Sequence, residues 1–197
     1  VVLPTTSDLL KTLISRPTPR ALPVGKTWAA VAKGAKSGEY QAAFSMLART
    51  ADSVMTAAIP ASPESRTIDS FRSEAERASW LLGLMQLTNA EQRHIETLAY
   101  AWRFTGNTSY LAAAKKRLLA FADWSANGAS HESVQPQANR NIYLALAIGY
   151  DLLENKLSAT ERTKIATAFN ARIQAAVMTT QRLDREPYAS FENSTIH

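Results

Sequence analysis

Apolar residues recur at intervals of three and four residues along almost the whole chain, which is the period of an amphipathic α-helix. No segment shows a convincing strand pattern of alternating apolar and polar residues. The 197 residues include 34 alanines but only 7 glycines and 8 prolines, and alanine favours helices that approach one another closely. The sequence therefore predicts an all-α fold of antiparallel helical hairpins joined by short loops.

Capping residues and helix breakers divide this pattern into separate helices. Gly106 is expected to end one helix in the left-handed conformation, and Asn107 or Thr108 to begin the next. Ser158 and Glu161 have the spacing of a capping box, in which each side chain accepts from the backbone N–H of the other. The predicted helices span residues 7–14, 27–35, 39–59, 67–87, 89–105, 107–124, 139–153 and 158–182.

The pattern of apolar residues also predicts which side chains of some helices are buried. Tyr40 is expected to open the buried stripe of its helix, and Asn89 to cap a helix of its own. The helix over 139–153 is apolar almost all round, which predicts a buried inner helix. The helix before Asn89 is expected to bury the side chains of Phe71, Ala75, Ala78, Leu82 and Met85.

Composition limits the partners and cofactors. With 22 lysines and arginines against 17 aspartates and glutamates, the chain has a formal charge of +5, which favours a polyanionic partner. The basic residues are dispersed rather than gathered in a stripe with stacking aromatics, so no nucleic-acid partner is expected. Without cysteine, and with only three histidines, no disulfide, metal centre or other cofactor is expected. No apolar run reaches the roughly 20 residues that span a bilayer.

Three segments carry a recognisable order of residues. Residues 101–124 read A-W-R-F-T-G-N-T-S-Y-L and end on D-W, whereas residues 145–162 read A-L-A-I-G-Y-D-L-L, followed by L-S and E-R. A short segment, R-P-T-P-R, occupies residues 16–20. Together these segments resemble the toroid polysaccharide lyases of the heparinase II/III-like and alginate-lyase-like families, and the likeness covers residues 16–197.

The resemblance implies an exported bacterial enzyme, periplasmic or secreted after removal of a signal peptide, that acts on an acidic polysaccharide or oligosaccharide. It also implies an incomplete (α/α) toroid, with a C-terminal β-sandwich region in the full protein. Residues 1–26 are then an N-terminal segment, and residues 27–197 are a truncated portion of the toroid. Asp151 is expected to accept hydrogen bonds from a neighbouring loop.

Lyases of this kind cleave uronate-containing glycans by β-elimination. A base removes the C5 proton beside the uronate carboxylate and an acid protonates the departing O4, while a donor holds the carboxylate. The resemblance assigns the carboxylate to Asn193 and a catalytic role to His197, and it places a catalytic tyrosine and a second histidine beyond residue 197. On the residues alone, Asn193 is also a candidate helix N-cap and His197 an ordinary surface residue.

A second candidate site is the polar stretch over residues 125–133 together with the helix start that follows. Toroid clefts are lined by such loops, and Arg140 suits bidentate binding of a uronate. The predicted substrate-binding residues are Trp124, His131, Gln137, Asn139, Arg140, Tyr143 and Tyr188. The alternatives are an exposed loop position for His131, helix capping for Asn139 and a core position for Trp124.

Two other functions stay open. One is a toroid glycoside hydrolase, which needs a pair of carboxylates facing the cleft, and the sequence offers no clear pair. The other is a non-catalytic helical-repeat or glycan-binding module, which an internal period of about 35–45 residues would favour. The hairpins have a comparable size, but they share no evident residue signature.

Overall fold

The computed structural model describes residues 20, 27–35, 37, 40–63 and 71–183. Within these ranges every regular element is helical, which confirms the all-α prediction, and none of the helices is long and apolar enough to cross a membrane. One turn of 3-10 helix over Glu154–Lys156 follows the fifth helix. The α-helices are α1 (Trp28–Ala35), α2 (Gln41–Thr56), α3 (Glu74–Thr105), α4 (Thr108–Ala122), α5 (Pro136–Leu153) and α6 (Ala159–Leu183).

The junction of α3 and α4 folds as the sequence predicts. Gly106 has a φ of 73°, in the left-handed region where glycine carries no Cβ penalty. Asn107 then caps α4, because its Oδ1 accepts from the N–H of Ser109 at 2.9 Å. The capping box of α6 is also confirmed, since Ser158 Oγ accepts from the Glu161 N–H at 3.2 Å and the Ser158 N–H donates to Glu161 Oε2 at 2.7 Å.

The predicted break near Asn89 is wrong, because α3 is one continuous helix of 32 residues. The polar pair Thr88-Asn89 imitates a helix start in the sequence. In the structure the Thr88 hydroxyl donates to the Leu84 carbonyl at 3.0 Å, and Asn89 lies exposed on the side of the helix. The helix also begins later than predicted, with Ser73 as its N-cap. Polar residues do not stop a helix that tertiary packing supports.

The buried face of α3 also differs from the prediction. Ala75 and Ala78 are exposed, and Leu82 is 50% exposed. The buried stripe includes two polar residues and consists mainly of Leu84, Thr88, Glu91, Ile95, Leu98 and Trp102. The hydrophobic pattern predicted the wrong face of α3 because Thr88 and Glu91 are polar and yet buried. Both have hydrogen-bond partners in the interior. At the start of α2, Tyr40 is 61% exposed and not part of a buried stripe.

Successive helices from α3 to α6 run antiparallel. The turn at Gly106 folds α4 back on α3, where Arg117 Nη1 lies 2.7 Å from Glu91 Oε2. The second half of α6 returns to the start of α5, where Arg172 Nη1 donates to Asn139 Oδ1 at 3.1 Å. Alternate helices are therefore parallel.

These alternate helices form two layers around one core. In the α3/α5 layer the helices lie side by side, with the Gln135 amide donating to the Leu81 carbonyl at 2.8 Å and the Asn141 amide donating to Thr88 Oγ1 at 3.2 Å. The α2/α4/α6 layer runs in the opposite direction. Helix α5 packs against α3, α4 and α6, and each of its residues is buried or half-buried, which agrees with the prediction of a buried helix.

The core is tightest around Gly149 of α5. A Cβ atom at this position would lie 2.7 Å from Leu118 Cδ1 and 3.2 Å from Ile95 Cγ2. The absence of a side chain therefore permits the close approach of α5 to α3 and α4. The apolar side chains that are fully buried in this core include Ile95, Leu98, Leu118, Phe121, Ile142, Leu146, Leu152 and Leu153.

Candidate functional site

The polar stretch between α4 and α5 is a compact folded loop. Its turns are closed by backbone bonds, in which the His131 N–H donates to the Gly128 carbonyl at 2.9 Å and the Gln135 N–H donates to the His131 carbonyl at 3.0 Å. Ser130 and Glu132 are buried within it. The loop therefore brings polar groups into the interior, where each group needs a hydrogen-bond partner.

Arg172 of α6 joins this loop to the helices around it. Its side chain is fully buried, and Nη2 donates to the carbonyls of Trp124 and Ser125, both at 3.2 Å. Nη1 donates to Asn139 Oδ1 at 3.1 Å and to the Ser130 carbonyl at 3.3 Å. One planar guanidinium thus connects the end of α4, the loop, α5 and α6.

Asn139 belongs to this buried network and does not line a cleft. It is 0% exposed, and its Nδ2 donates to Glu132 Oε2 at 2.6 Å and to the Arg172 carbonyl at 3.3 Å. The hydrogen bonds of its side-chain amide are therefore made inside the protein. Neither substrate binding nor helix capping, the two roles considered for it, fits this position, because α5 already begins at Pro136.

Trp124 and His131 occupy contrasting positions. Trp124 is 4% exposed and its ring centroid lies 5.0 Å from that of Phe121, so the indole is a core residue with no open face for a sugar. His131 is partly exposed, and its Nδ1 accepts from the Ser133 N–H at 3.1 Å. With Nδ1 accepting, Nε2 is the ring nitrogen that can donate.

Gln137, Arg140 and Tyr143 share the partly exposed side of α5. Burial raises the pKa of Tyr143, the nearby Glu132 carboxylate raises it further, and Arg140 opposes the shift. The phenol is therefore protonated at neutral pH and offers an O–H donor. Arg140 Nε is shielded from solvent and donates to no residue in the described part of the chain. Together these side chains provide donors for a carboxylate or a sugar hydroxyl.

The three remaining predicted site residues are Asn193, His197 and Tyr188. All three lie outside the described residues. Their roles in catalysis and substrate binding stay predictions.

Two residues that organise this region, Arg172 and Glu132, are not among the predicted site residues. Arg172 gave a usable signal, because it lies seven residues after the buried Ile165 and four before the buried Ala176, within an apolar stripe of α6. A charged residue in such a stripe is buried only where acceptors converge on it. Glu132 gave no comparable signal, since it stands in a loop with no periodic pattern.

Residues from each of the three segments that carry the family resemblance meet at the other end of α5, the first segment being represented by Arg20. Arg20 Nη1 donates to Asp151 Oδ1 at 3.4 Å, which confirms that this aspartate accepts from outside its own helix. From α3, Arg103 Nε donates to the Leu152 carbonyl at 2.8 Å. Burial lowers the pKa of Arg103, and the charge of Asp151 opposes that shift. Two arginines from distant segments therefore converge on consecutive residues of α5.

No protein-family model matches the chain, and no curated protein sequence matches it.

Proposed function

We propose that this chain is part of a polysaccharide lyase that cleaves a uronate-containing glycan by β-elimination. The observation that carries the proposal is the meeting of the three resembling segments, in which Arg20 and Arg103 bind Asp151 and the Leu152 carbonyl. Segments that are distant in the chain, share one family's residue order and also bind one another support the resemblance more strongly than any segment alone.

The order of the helices supports the same proposal. An (α/α) toroid is built from hairpins whose inner helices are parallel to one another, and α3 and α5 are parallel neighbours. In the proposed toroid α3 and α5 are inner helices, and α2, α4 and α6 are outer helices. The enzyme would be exported by a bacterium to the periplasm or the medium, where it meets its polymer substrate.

In the proposed reaction Asn193 donates to the uronate carboxylate and so stabilises the charge that develops when the C5 proton leaves. His197 and the catalytic tyrosine that the resemblance implies are the base and the acid, one taking up the C5 proton and the other protonating the departing glycosidic oxygen. The C5–H electron pair forms the C4–C5 double bond, the bond from C4 to the glycosidic oxygen breaks, and that oxygen takes up a proton. Arg140 and Tyr143 bind the polymer through a carboxylate and a hydroxyl, whereas the buried Asn139 takes no part.

The test measures ultraviolet absorbance of the new C4–C5 double bond. The protein in its longest natural form is incubated with alginate, heparan sulfate, chondroitin and hyaluronan. Absorbance is expected to rise with one of these polymers, and Asn193→Ala is expected to abolish the rise. The matched control is Asn155→Ala, which removes the same side chain from the exposed turn after α5.

Each other outcome contradicts the proposal in a specific way. New reducing ends without absorbance would identify a hydrolase, which adds water across the glycosidic bond. If neither the double bond nor new reducing ends form with any of the four polymers, the result would favour a binding module. Equal loss of activity in the Asn193 and Asn155 variants would remove the assigned role of Asn193 in holding the carboxylate.

A further inference from the structure

The α3/α5 layer presents a face on the side away from α4. On α3 this face is marked by Gln86, Asn89 and Arg93, which are exposed and lie opposite the side that binds Arg117. On α5 it is marked by Gln137, Arg140 and Leu144, which are partly exposed. We name these six residues the arginine face.

The two triplets have the same spacing and lie at nearly the same height. Each follows the pattern i, i+3, i+7, so its members share one side of a helix. Because Asn141 binds Thr88, Arg140 is level with the residue just before Thr88. Arg93 lies about six residues further along the parallel helix, which is an axial distance of about 9 Å at 1.5 Å per residue. The two guanidinium groups are therefore staggered along the direction in which both helices run.

The first half of this face carries a positive charge. Helix α3 has no charged residue between Arg77 and Glu91, and Glu91 is buried against Arg117. Helix α5 carries Arg140 as its single charged residue before Asp151. Over the stretch where the two helices lie side by side, from Leu81 to Asn89 on α3, the face therefore carries Arg140 and no exposed carboxylate.

Neither arginine of this face is neutralised within the part of the chain that the structure describes. Arg93 and Arg140 form no ion pair there, whereas the partly exposed Lys115 pairs with Glu161 at 2.9 Å. Arg140 also keeps an Nε–H that is shielded from water and has no acceptor among these residues. A shielded donor without an acceptor carries a desolvation cost that an anionic ligand removes.

We infer that the arginine face binds a linear chain of uronates. Arg140 and Arg93 bind two carboxylates of the chain, the amides of Gln86, Asn89 and Gln137 bind its hydroxyls, and Leu144 contacts a sugar ring. This inference takes the chemical class of the ligand from the proposed function, but it concerns binding and requires no turnover.

The test is equilibrium binding of defined fragments of alginate, heparan sulfate, chondroitin and hyaluronan, with dextran as the neutral chain. All variants carry Asn193→Ala, so that a cleavable fragment survives the measurement. Arg140→Ala and Arg93→Ala are each expected to weaken binding of the preferred fragment about tenfold, the usual effect of losing one charge-assisted contact. Arg140→Lys is expected to recover part of the loss, because it restores the charge without the fork.

The charge-matched controls are Arg49→Ala and Lys116→Ala, which remove one exposed positive charge each from the α2/α4/α6 layer. They are expected to change the affinity less than twofold. If all four substitutions weaken fragment binding equally, binding depends on the overall positive charge and not on this face, and the inference is overturned. Equal binding of dextran, or binding of no uronate fragment, would overturn it as well.

The outcomes separate this inference from the lyase proposal. Arginine-dependent binding in a protein that never produces the double bond would leave the site standing and remove the lyase. Double-bond formation in the Asn193 form, with affinities unchanged by the substitutions at Arg93 and Arg140, would keep the lyase and overturn the arginine face.

Discussion

The α3–α4 hairpin and the α5–α6 hairpin are held in place by the same device. In each, a buried arginine of the second helix donates to carbonyls at the C-terminal end of the preceding helix in its layer. Arg117 donates to the Val54 carbonyl near the end of α2 at 2.8 Å, and Arg172 donates to the Trp124 carbonyl beyond the end of α4 at 3.2 Å. The two arginines are 55 positions apart. The hairpin with its buried arginine is therefore a structural repeat, although the two copies share no evident residue motif.

The two hairpins differ in the other acceptors of each arginine. Arg117 donates to both oxygens of the buried Glu91 carboxylate, at 2.9 and 2.7 Å. Arg172 donates to neutral oxygens, among them Asn139 Oδ1 at 3.1 Å and Ser130 Oγ at 3.2 Å. The shared element is therefore the capture of helix-end carbonyls, which every helix leaves without intrahelical donors, and not a particular counter-ion.

The largest expected effect comes from removing either arginine. Arg117→Ala and Arg172→Ala are each expected to lower the free energy of unfolding by about 3–5 kcal/mol, because buried acceptors lose their donors. The loss should be greater for Arg117→Ala, since it also leaves the Glu91 charge buried without its guanidinium. Urea unfolding followed by circular dichroism measures both losses.

Two further variants challenge this explanation. Arg49→Ala, at an exposed position of α2, is expected to change stability by less than about 0.5 kcal/mol. Replacing Glu91 and Arg117 together by methionine should recover much of the loss, because no unpaired charge is left inside. If the double methionine variant is no more stable than Arg117→Ala, the unpaired Glu91 carboxylate does not explain the loss. If Arg172→Ala is as stable as Arg49→Ala, the claim that a buried arginine holds each hairpin in place is wrong.

A smaller effect is expected where the two hairpins touch, at Gly149. The methyl group of Gly149→Ala would lie 2.7 Å from Leu118 Cδ1, and Leu118 is fully buried with little room to move. A loss of about 1–3 kcal/mol is expected, even after the better helix propensity of alanine. Thermal unfolding measures it. Gly83→Ala is the matched control, since its added methyl meets no atom within 4 Å and is expected to stabilise α3 by about 0.5–1 kcal/mol. The same sign for both substitutions would contradict the close approach.

Local signals made part of the fold predictable. Gly106, Asn107 and the Ser158–Glu161 box act within a few residues, so the sequence alone indicates what they do. The length and buried face of α3 depend instead on distant partners. The buried Glu91 carboxylate binds Arg117, which reaches it from α4, and the run of basic residues around Arg117 resembles an exposed surface.

The candidate site divides in the same way. Arg140 and Tyr143 were predicted to bind substrate, and both are partly exposed on one side of α5, which keeps that role open. Asn139 was predicted with them because it is polar and adjacent in sequence. It points inward because the carboxylate of Glu132 and the guanidinium of Arg172 converge on its amide. Neighbouring positions on a helix differ by about 100°, so a sequence window cannot assign them one environment.

The smallest expected effect concerns pH and the start of α6, where the second hairpin contacts the first. The Ser158 backbone N–H, and then Lys115, hold the pKa of Glu161 below its usual value. A carboxylate with a lowered folded pKa contributes stability above its unfolded pKa, and the contribution disappears as the pH falls through the folded value. Glu161→Gln is therefore expected to cost a few tenths of a kcal/mol at neutral pH, because Lys115 and Glu161 are partly exposed, and to match the wild type in acid. Urea unfolding across this pH range measures the difference, with Glu154→Gln at the same junction as the control. A Glu161→Gln deficit that persists in acid would show that the glutamate acts through its shape and not through its charge.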